Sequence, residues 1–110
     1  MIATKSCGMA GGQVPVVTWS GEVDRFWLSY LGPELTNAWS SAQRRRVMLD
    51  LRRVTYLDGG GLQLILRLLD RCRPGEWIGV VADPDQPVLR LLALARVTTH
   101  PNFRLSAKEC

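Results

Sequence analysis

At 110 residues, with 46% hydrophobic and 22% charged side chains, the chain has room for one packed core and is too apolar for a disordered protein. Its longest apolar runs, such as Leu91-Leu92-Ala93-Leu94-Ala95, fall far short of the roughly 20 residues of a membrane span. The formal charge of +4 comes mostly from arginine. The densest cluster is Arg44-Arg45-Arg46 with Arg52-Arg53; no aromatic residues interleave with it and no helix-turn-helix or finger spacing accompanies it, so direct nucleic-acid binding is not expected.

Residues 1–13 are rich in Gly, Ser and Ala without periodicity and read as a flexible lead-in, leaving 14–110 as the folded domain. Met1 to Gly12 carries one Lys and no apolar h-region, so a signal peptide is not expected and a cytoplasmic location is. Val14 to Ser20 is β-branched and aromatic and predicts a strand ending at Gly21, with Pro15 at its start or on a free edge. Phe26 to Ala42 is helical in pattern: Leu31, Leu35, Ala38, Trp39 and Ala42 share one face. Gly32-Pro33 suits a first turn better than a helix interior, so the regular helix is expected to begin near Leu31, after an irregular stretch over residues 25–30.

Val47-Met48-Leu49-Asp50-Leu51 predicts a strand covered on both faces. Asp50 within it is expected to cap a neighbouring loop or helix. Val54-Thr55-Tyr56-Leu57 follows and leads into Asp58 and three glycines. Leu62 to Cys72 is the clearest helix, with Leu62, Ile65, Leu66, Leu69 and Cys72 on one face and Pro74-Gly75 as its stop. Trp77 to Ala82 predicts a third buried strand. Asp83-Pro84-Asp85 offers a turn with a ready N-cap, and Val88, Leu91, Leu92 and Ala95 form the inner face of a short helix. Residues 102–106 alternate as a final edge strand. The order β-α-β-α-β-α-β implies one sheet with right-handed crossovers wherever neighbours are parallel.

Chemistry is sparse. His100, the sole histidine, precedes Pro101 in a polar segment and reads as a solvated loop residue rather than a general base. No Ser lies in a G-x-S-x-G setting. Cys7, Cys72 and Cys110 lack the short spacing of a zinc site, so no metal is expected; Cys72 reads as a buried thiol, with a redox pairing to Cys110 left open. No cofactor is expected. The exception is Asp58 to Leu62, where a strand feeds a helix through glycines. Bare N–H groups at such a helix start suit a contact or an anion, and a tight turn needing positive φ is the competing structural reading. It is neither a P-loop nor a complete G-x-G-x-x-G fingerprint.

Gly21-Glu22-Val23-Asp24, Gly32-Pro33-Glu34-Leu35, Val47 to Leu51 and Val54 to Leu62 together resemble the STAS domain of anti-sigma factor antagonists, which reads roughly G-E-L-D, A-P-E-L, V-V-L-D-L and V-x-F-x-D-S-S-G-L. The resemblance spans about Val16 to Phe103. It implies an α/β domain: a four- to five-stranded mixed sheet with about three main helices packed mostly on one face. It also implies a non-enzymatic bacterial regulator of transcription that binds an anti-sigma factor, often itself a serine kinase, and is switched off by phosphorylation of the first Ser of D-S-S-G. Gly59 stands at that Ser and Gly60 at the next, so the loop has no hydroxyl to phosphorylate. Asp24, Asp58, Gly59, Gly60, Gly61, Leu62, Gln63 and Arg67 are the partner-binding residues the resemblance implies. An alternative with the same fold is a STAS-like accessory or scaffold subunit, for example of a lipid transporter, or a sensor module binding a nucleotide or small anion at the glycines. A homodimer is left open, with Phe26-Trp27 as the apolar segment to watch. An enzyme holding a substrate phosphate at the glycine loop lacks a base in reach.

Overall fold

The computed structural model describes residues 3–9, 12–41 and 44–106. Its elements are β1 (Ala3–Met9), β2 (Gly12–Val23), α1 (Arg25–Ser41), β3 (Arg46–Leu57), α2 (Gly59–Asp70), β4 (Trp77–Val81), α3 (Pro87–Leu94) and β5 (Phe103–Ser106). They form a single five-stranded sheet in the order β1-β2-β3-β4-β5. β1 runs antiparallel to β2, and β2 to β5 are mutually parallel. Each parallel crossover carries one helix, as parallel pairing demands. The mixed sheet and three helices agree with the expected fold class. Ala42 and Cys110, the latter named above as a redox partner for Cys72, lie outside the described residues.

One face of the sheet carries the main core. Val17, Trp19 and Val23 of β2, Val47, Leu49 and Leu51 of β3 and Ile78 and Val80 of β4 meet Leu31, Leu35 and Trp39 of α1, Ile65, Leu68 and Leu69 of α2, and Val88 and Leu92 of α3. A smaller cluster, Val14, Val16, Met48, Trp77 and Val81, is built from strand residues alone. All three helices therefore pack into the same cluster, and alternation along β2, β4 and the first half of β3 assigns the two sets of side chains.

Several local expectations change. Residues 3–9, read as lead-in, form an edge strand: pairing with β2, not composition, makes them extended. Pro15 is neither at the start of β2 nor on a free edge: it pairs in register with Ser6 of β1, and it is tolerated because pairing with β3 begins only at Val16, so the missing N–H falls just before that parallel register. Gly21 does not end β2; at φ +73° it bends the strand, which continues to Val23. The two apolar runs at Val47–Leu51 and Val54–Leu57 are one strand. Its register against β2 slips after Thr18↔Asp50 and again after Gly21↔Val54, which is why Leu51, Val54 and Leu57, three residues apart, all reach the core.

α1 begins at Arg25, six residues before the expected start, and keeps Pro33 in its interior. A proline there costs about 3 kcal/mol. Full burial of a large apolar side chain contributes about 1.5–3 kcal/mol, and Leu31, Leu35 and Trp39 are buried around it. Tertiary burial outweighs the local break. The inner face of α2 is Gly61, Ile65, Leu68 and Leu69, with Leu62, Leu66 and Cys72 only partly buried. α3 is preceded by Gln86 rather than an Asp cap. The Gln86 side chain accepts from the Asp83 N–H (2.7 Å) and donates to the carbonyls of Leu51 (3.1 Å) and Arg52 (3.2 Å), tying the α3 loop to the irregular part of β3.

Asp50 and His100 are structural. The Asp50 carboxylate accepts the Arg52 amide (3.0 Å) and its guanidinium at Nε (3.1 Å) and Nη2 (2.9 Å). His100 is no solvated loop residue: Nδ1 accepts the Asn102 amide (3.1 Å), which leaves the proton of the neutral ring on Nε2, 3.0 Å from Asp70 Oδ1. The ring clamps the loop before β5 to the end of α2.

The loop between α2 and β4 is held by Glu76, whose carboxylate accepts the amides of Arg73 (2.9 Å) and Arg45 (3.3 Å). Desolvation pushes this carboxyl up, but those two amides and the charges of Arg45 and Arg73 outweigh it and hold the group below its ordinary 4.5. A depressed carboxylate contributes stability above its unfolded pKa and loses it as pH falls through the folded value. Glu76→Gln is accordingly expected to narrow the stability difference between pH 7 and pH 3 in urea melts. An unchanged difference refutes this.

Candidate docking edge

Two helix starts lie side by side at the carboxyl ends of the parallel strands. Asp24 follows β2 and its Oδ1 accepts the Trp27 amide at 3.0 Å, while its carbonyl accepts from Leu28 at 2.9 Å. Asp58 follows β3 and caps α2: Oδ1 accepts the Gly60 amide at 2.8 Å and its carbonyl the amides of Gly61 (2.9 Å) and Leu62 (3.4 Å). The Asp58 amide in turn donates to the Val23 carbonyl at 2.9 Å, which locks the two loops together. Asp–x–x capping at both helices is the local reason the chain turns here.

The three glycines differ in what they do. None has positive φ: among the described residues that conformation occurs at Gly21, Gly75 and Arg96, so the tight-turn reading of the loop does not hold. All three belong to the first turn of α2. A Cβ at Gly61 would lie 2.7 Å from Leu57 Cδ1, and one at Gly60 3.0 Å from Leu28 Cδ2, so these two let α2 approach β3 and α1 closely. A Cβ at Gly59 meets nothing within 4 Å. Gly59 is exposed and Gly60 half-buried, while Gly61 is buried.

Of the sequence-derived contact residues, Asp24, Asp58, Gly59 and Gly60 thus form one edge, with Gln63 exposed on the next turn of α2. Arg67 stands further along α2, beside a shallow groove between α1 and α2 that Leu28, Gly32, Pro33 and Leu64 also line. Leu62 is half-buried against the core. The loop is a poor anion cradle, because Asp58 itself occupies the amides of Gly60, Gly61 and Leu62 and adds a negative charge. Among the described residues no group of His, Cys, Asp and Glu could hold a metal ion, and no helix is long and apolar enough to cross a membrane.

Asp58→Ala is expected to lower stability by about 1 kcal/mol, the usual value of a lost N-cap, with urea denaturation as the measurement; a change below about 0.3 kcal/mol sinks the capping role.

An exposed aromatic trio stands at this end of the molecule, outside the contact residues that the resemblance implies. Phe26, Trp27 and Tyr30 are 65%, 50% and 59% exposed, yet their ring centroids lie only 5.6–6.2 Å apart. Phe26-Trp27 stood out as apolar in the sequence, but Tyr30 joins it only once the helix starts at Arg25.

The family described as "Mlab, STAS domain" matches residues 9–105. The chain belongs to this STAS family. Among solved structures, this STAS domain is similar to an anti-sigma factor antagonist from Mycobacterium paratuberculosis, with 24% identity, 98% of this chain and 87% of that one covered, and a TM-score of 0.73. It is also similar to the anti-sigma factor antagonist SpoIIAA in its unphosphorylated form (16% identity, 96% and 90% covered, TM-score 0.60). A third similar structure is an uncharacterized protein with a SpoIIAA-like fold from Shewanella loihica (12% identity, 97% and 86% covered, TM-score 0.60). At these identities the likeness establishes the fold. No curated protein sequence matches significantly.

Proposed function

We propose that this STAS domain is a non-enzymatic regulatory module that binds an anti-sigma factor through the edge formed by Asp24, Asp58, Gly59 and Gly60, with Gln63 and Arg67 along α2, and so influences sigma-dependent transcription. The observation that carries the reading is the joined pair of Asp-capped helix starts, which presents the exposed Gly59 at the head of α2, where the resemblance puts the partner contact. The names of two similar structures, both anti-sigma factor antagonists, support it. Control by phosphorylation of this loop is absent, because Gly59 and Gly60 carry no hydroxyl.

Purified chain titrated against each anti-sigma factor of the source organism, serine kinases included, is the direct test. Saturable binding to at least one is expected, weakened by Asp58→Ala beyond what its stability loss explains. Folded protein that binds none of them refutes the reading. A second reading keeps the edge and changes the partner to a complex in which the domain is an accessory or scaffold subunit; it is supported by the matched family, whose description names a STAS domain and no anti-sigma factor. Neighbouring genes for a permease and an ATPase, in place of a kinase or sigma factor, favour it.

A further inference from the structure

The charges of the molecule are divided between its two ends. At the carboxyl ends of the parallel strands stand the five carboxylates Glu22, Asp24, Asp58, Asp83 and Asp85 against the three cations Arg25, Arg53 and Arg90, with the Asp50–Arg52 ion pair in β3. The opposite end, where β3 and β4 begin and α2 and α3 finish, carries Arg44, Arg45, Arg46, Arg71, Arg73 and Arg96 against Asp70 and Glu76. In a chain of net charge +4, the docking end is therefore the acidic one. The exposed trio of Phe26, Trp27 and Tyr30 sits on the first two turns of α1, following Glu22 and Asp24 in the chain.

Solvent-exposed aromatic rings packed on one another, and not on the core, are unusual for a surface helix. Tyr and Trp are the residues most often found as binding anchors, because they supply large contact area at low entropy cost. Their ring faces attract guanidinium and ammonium groups, and the fold already shows this pairing three times, with Arg45 and Arg71 over Trp39 and Arg104 over Trp77 at 5.2–5.5 Å. A basic surface approaching this molecule is repelled by its arginine-rich end and attracted by the acidic one, so the field both steers and orients it.

We propose that Phe26, Trp27 and Tyr30 are the anchor of the docking edge, and that they receive a basic, apolar protein surface: Arg or Lys side chains set among aliphatic ones. This extends the reading above, that the edge binds a protein, by naming the chemistry of what binds. Glu22, Asp24 and Asp58 pair with the partner's cations, and the rings take its aliphatic groups and the faces of its guanidiniums.

Two titrations of the full chain test it by amide NMR and need no identified partner. A short amphipathic peptide with Leu on one face and Arg on the other is expected to shift residues 22–30 and 56–60. The same peptide with Glu in place of Arg is expected to bind there at least about tenfold more weakly. The triple variant Phe26→Ser, Trp27→Ser, Tyr30→Ser is expected to lose at least about tenfold in affinity for the Arg peptide. Glu22→Lys, an independent surface change, is expected to lose about threefold to tenfold, more at low salt than at high. The proposal is overturned if the Arg peptide leaves those residues unmoved, if the Glu peptide moves them as strongly, or if the triple and Glu22→Lys variants both bind within twofold of the wild type. Concentration-dependent self-association that the triple variant abolishes, seen by sedimentation, also overturns it and assigns the rings to a second copy of this chain. If the peptide results hold while no anti-sigma factor binds, the anti-sigma reading fails and the anchor stands.

Discussion

Gly59→Ser is expected to turn an unphosphorylatable domain into a substrate of any anti-sigma kinase that binds it. The substitution is open to the fold: a Cβ at Gly59 has no neighbour within 4 Å, and the residue has ordinary helical φ in the first turn of α2. Serine also loses less backbone entropy than glycine in a helix, so stability is expected to hold or rise by a few tenths of a kcal/mol. The hydroxyl stands exposed beside Asp58 at the end of the molecule that the proposed partner covers. Wild-type protein incubated with the kinase and labelled ATP is expected to take up no label at this loop, and the variant to be labelled at residue 59. Once labelled, it carries about −1.5 to −2 additional charges next to Asp24 and Asp58, and binding is expected to fall at least about tenfold, equivalent to about 1.4 kcal/mol. A kinase that binds the variant tightly and never labels it shows that Gly59 does not stand where the family's serine does.

How much of this was legible in the sequence depends on whether local pattern or tertiary pairing decided each element. The first half of strand β3, strand β4 and helix α2 are written in their apolar runs, and the motif pieces around Asp24 and Asp58 locate both loops of the edge. β1 was not legible, because a Gly- and Ser-containing segment becomes a strand only through pairing with β2. The early start of α1 was hidden by Gly32-Pro33, a local stop signal overridden by the burial of Leu31, Leu35 and Trp39. A helix that begins near Leu31 leaves the aromatic trio unseen, since Phe26 and Tyr30 share a face only on a helix. The two register slips of β3 broke the two-residue alternation that would have shown one strand instead of two. The division of labour among the glycines was also invisible. Only the close approaches of Leu28 and Leu57 separate the packed Gly60 and Gly61 from the open Gly59.

Trp39→Ala is expected to be among the most destabilising single substitutions in the domain. The side chain is fully buried between α1 and the sheet, with the guanidiniums of Arg45 and Arg71 over its ring at 5.2 and 5.5 Å. Its Nε1 makes no hydrogen bond to nitrogen or oxygen; its polar neighbour is the Cys72 thiol, which burial pushes up, with the Glu76 charge adding to the rise and Trp39 and Arg45 opposing it. Truncating a buried Trp to Ala costs about 3–5 kcal/mol, a large share of the roughly 5–15 kcal/mol that holds a domain of this size. Trp39→Phe keeps a ring under both arginines and gives up no strong hydrogen bond, so about 1–1.5 kcal/mol is expected. Urea denaturation separates the two, with the midpoint moving and the slope constant if the native state is otherwise intact. Equal losses for Ala and Phe refute the packing argument and place the value of Trp39 in its indole nitrogen. The contrast reaches the docking edge as well. α1 carries Asp24 at its cap and the aromatic trio on its first turns, and Trp39 anchors the other end of the same helix to the core. Trp39→Phe, folded and weakened only slightly, is therefore expected to bind the Arg peptide as the wild type does. A large loss of that binding in Trp39→Phe means that the docking edge is set by the seating of α1 and not only by its exposed residues.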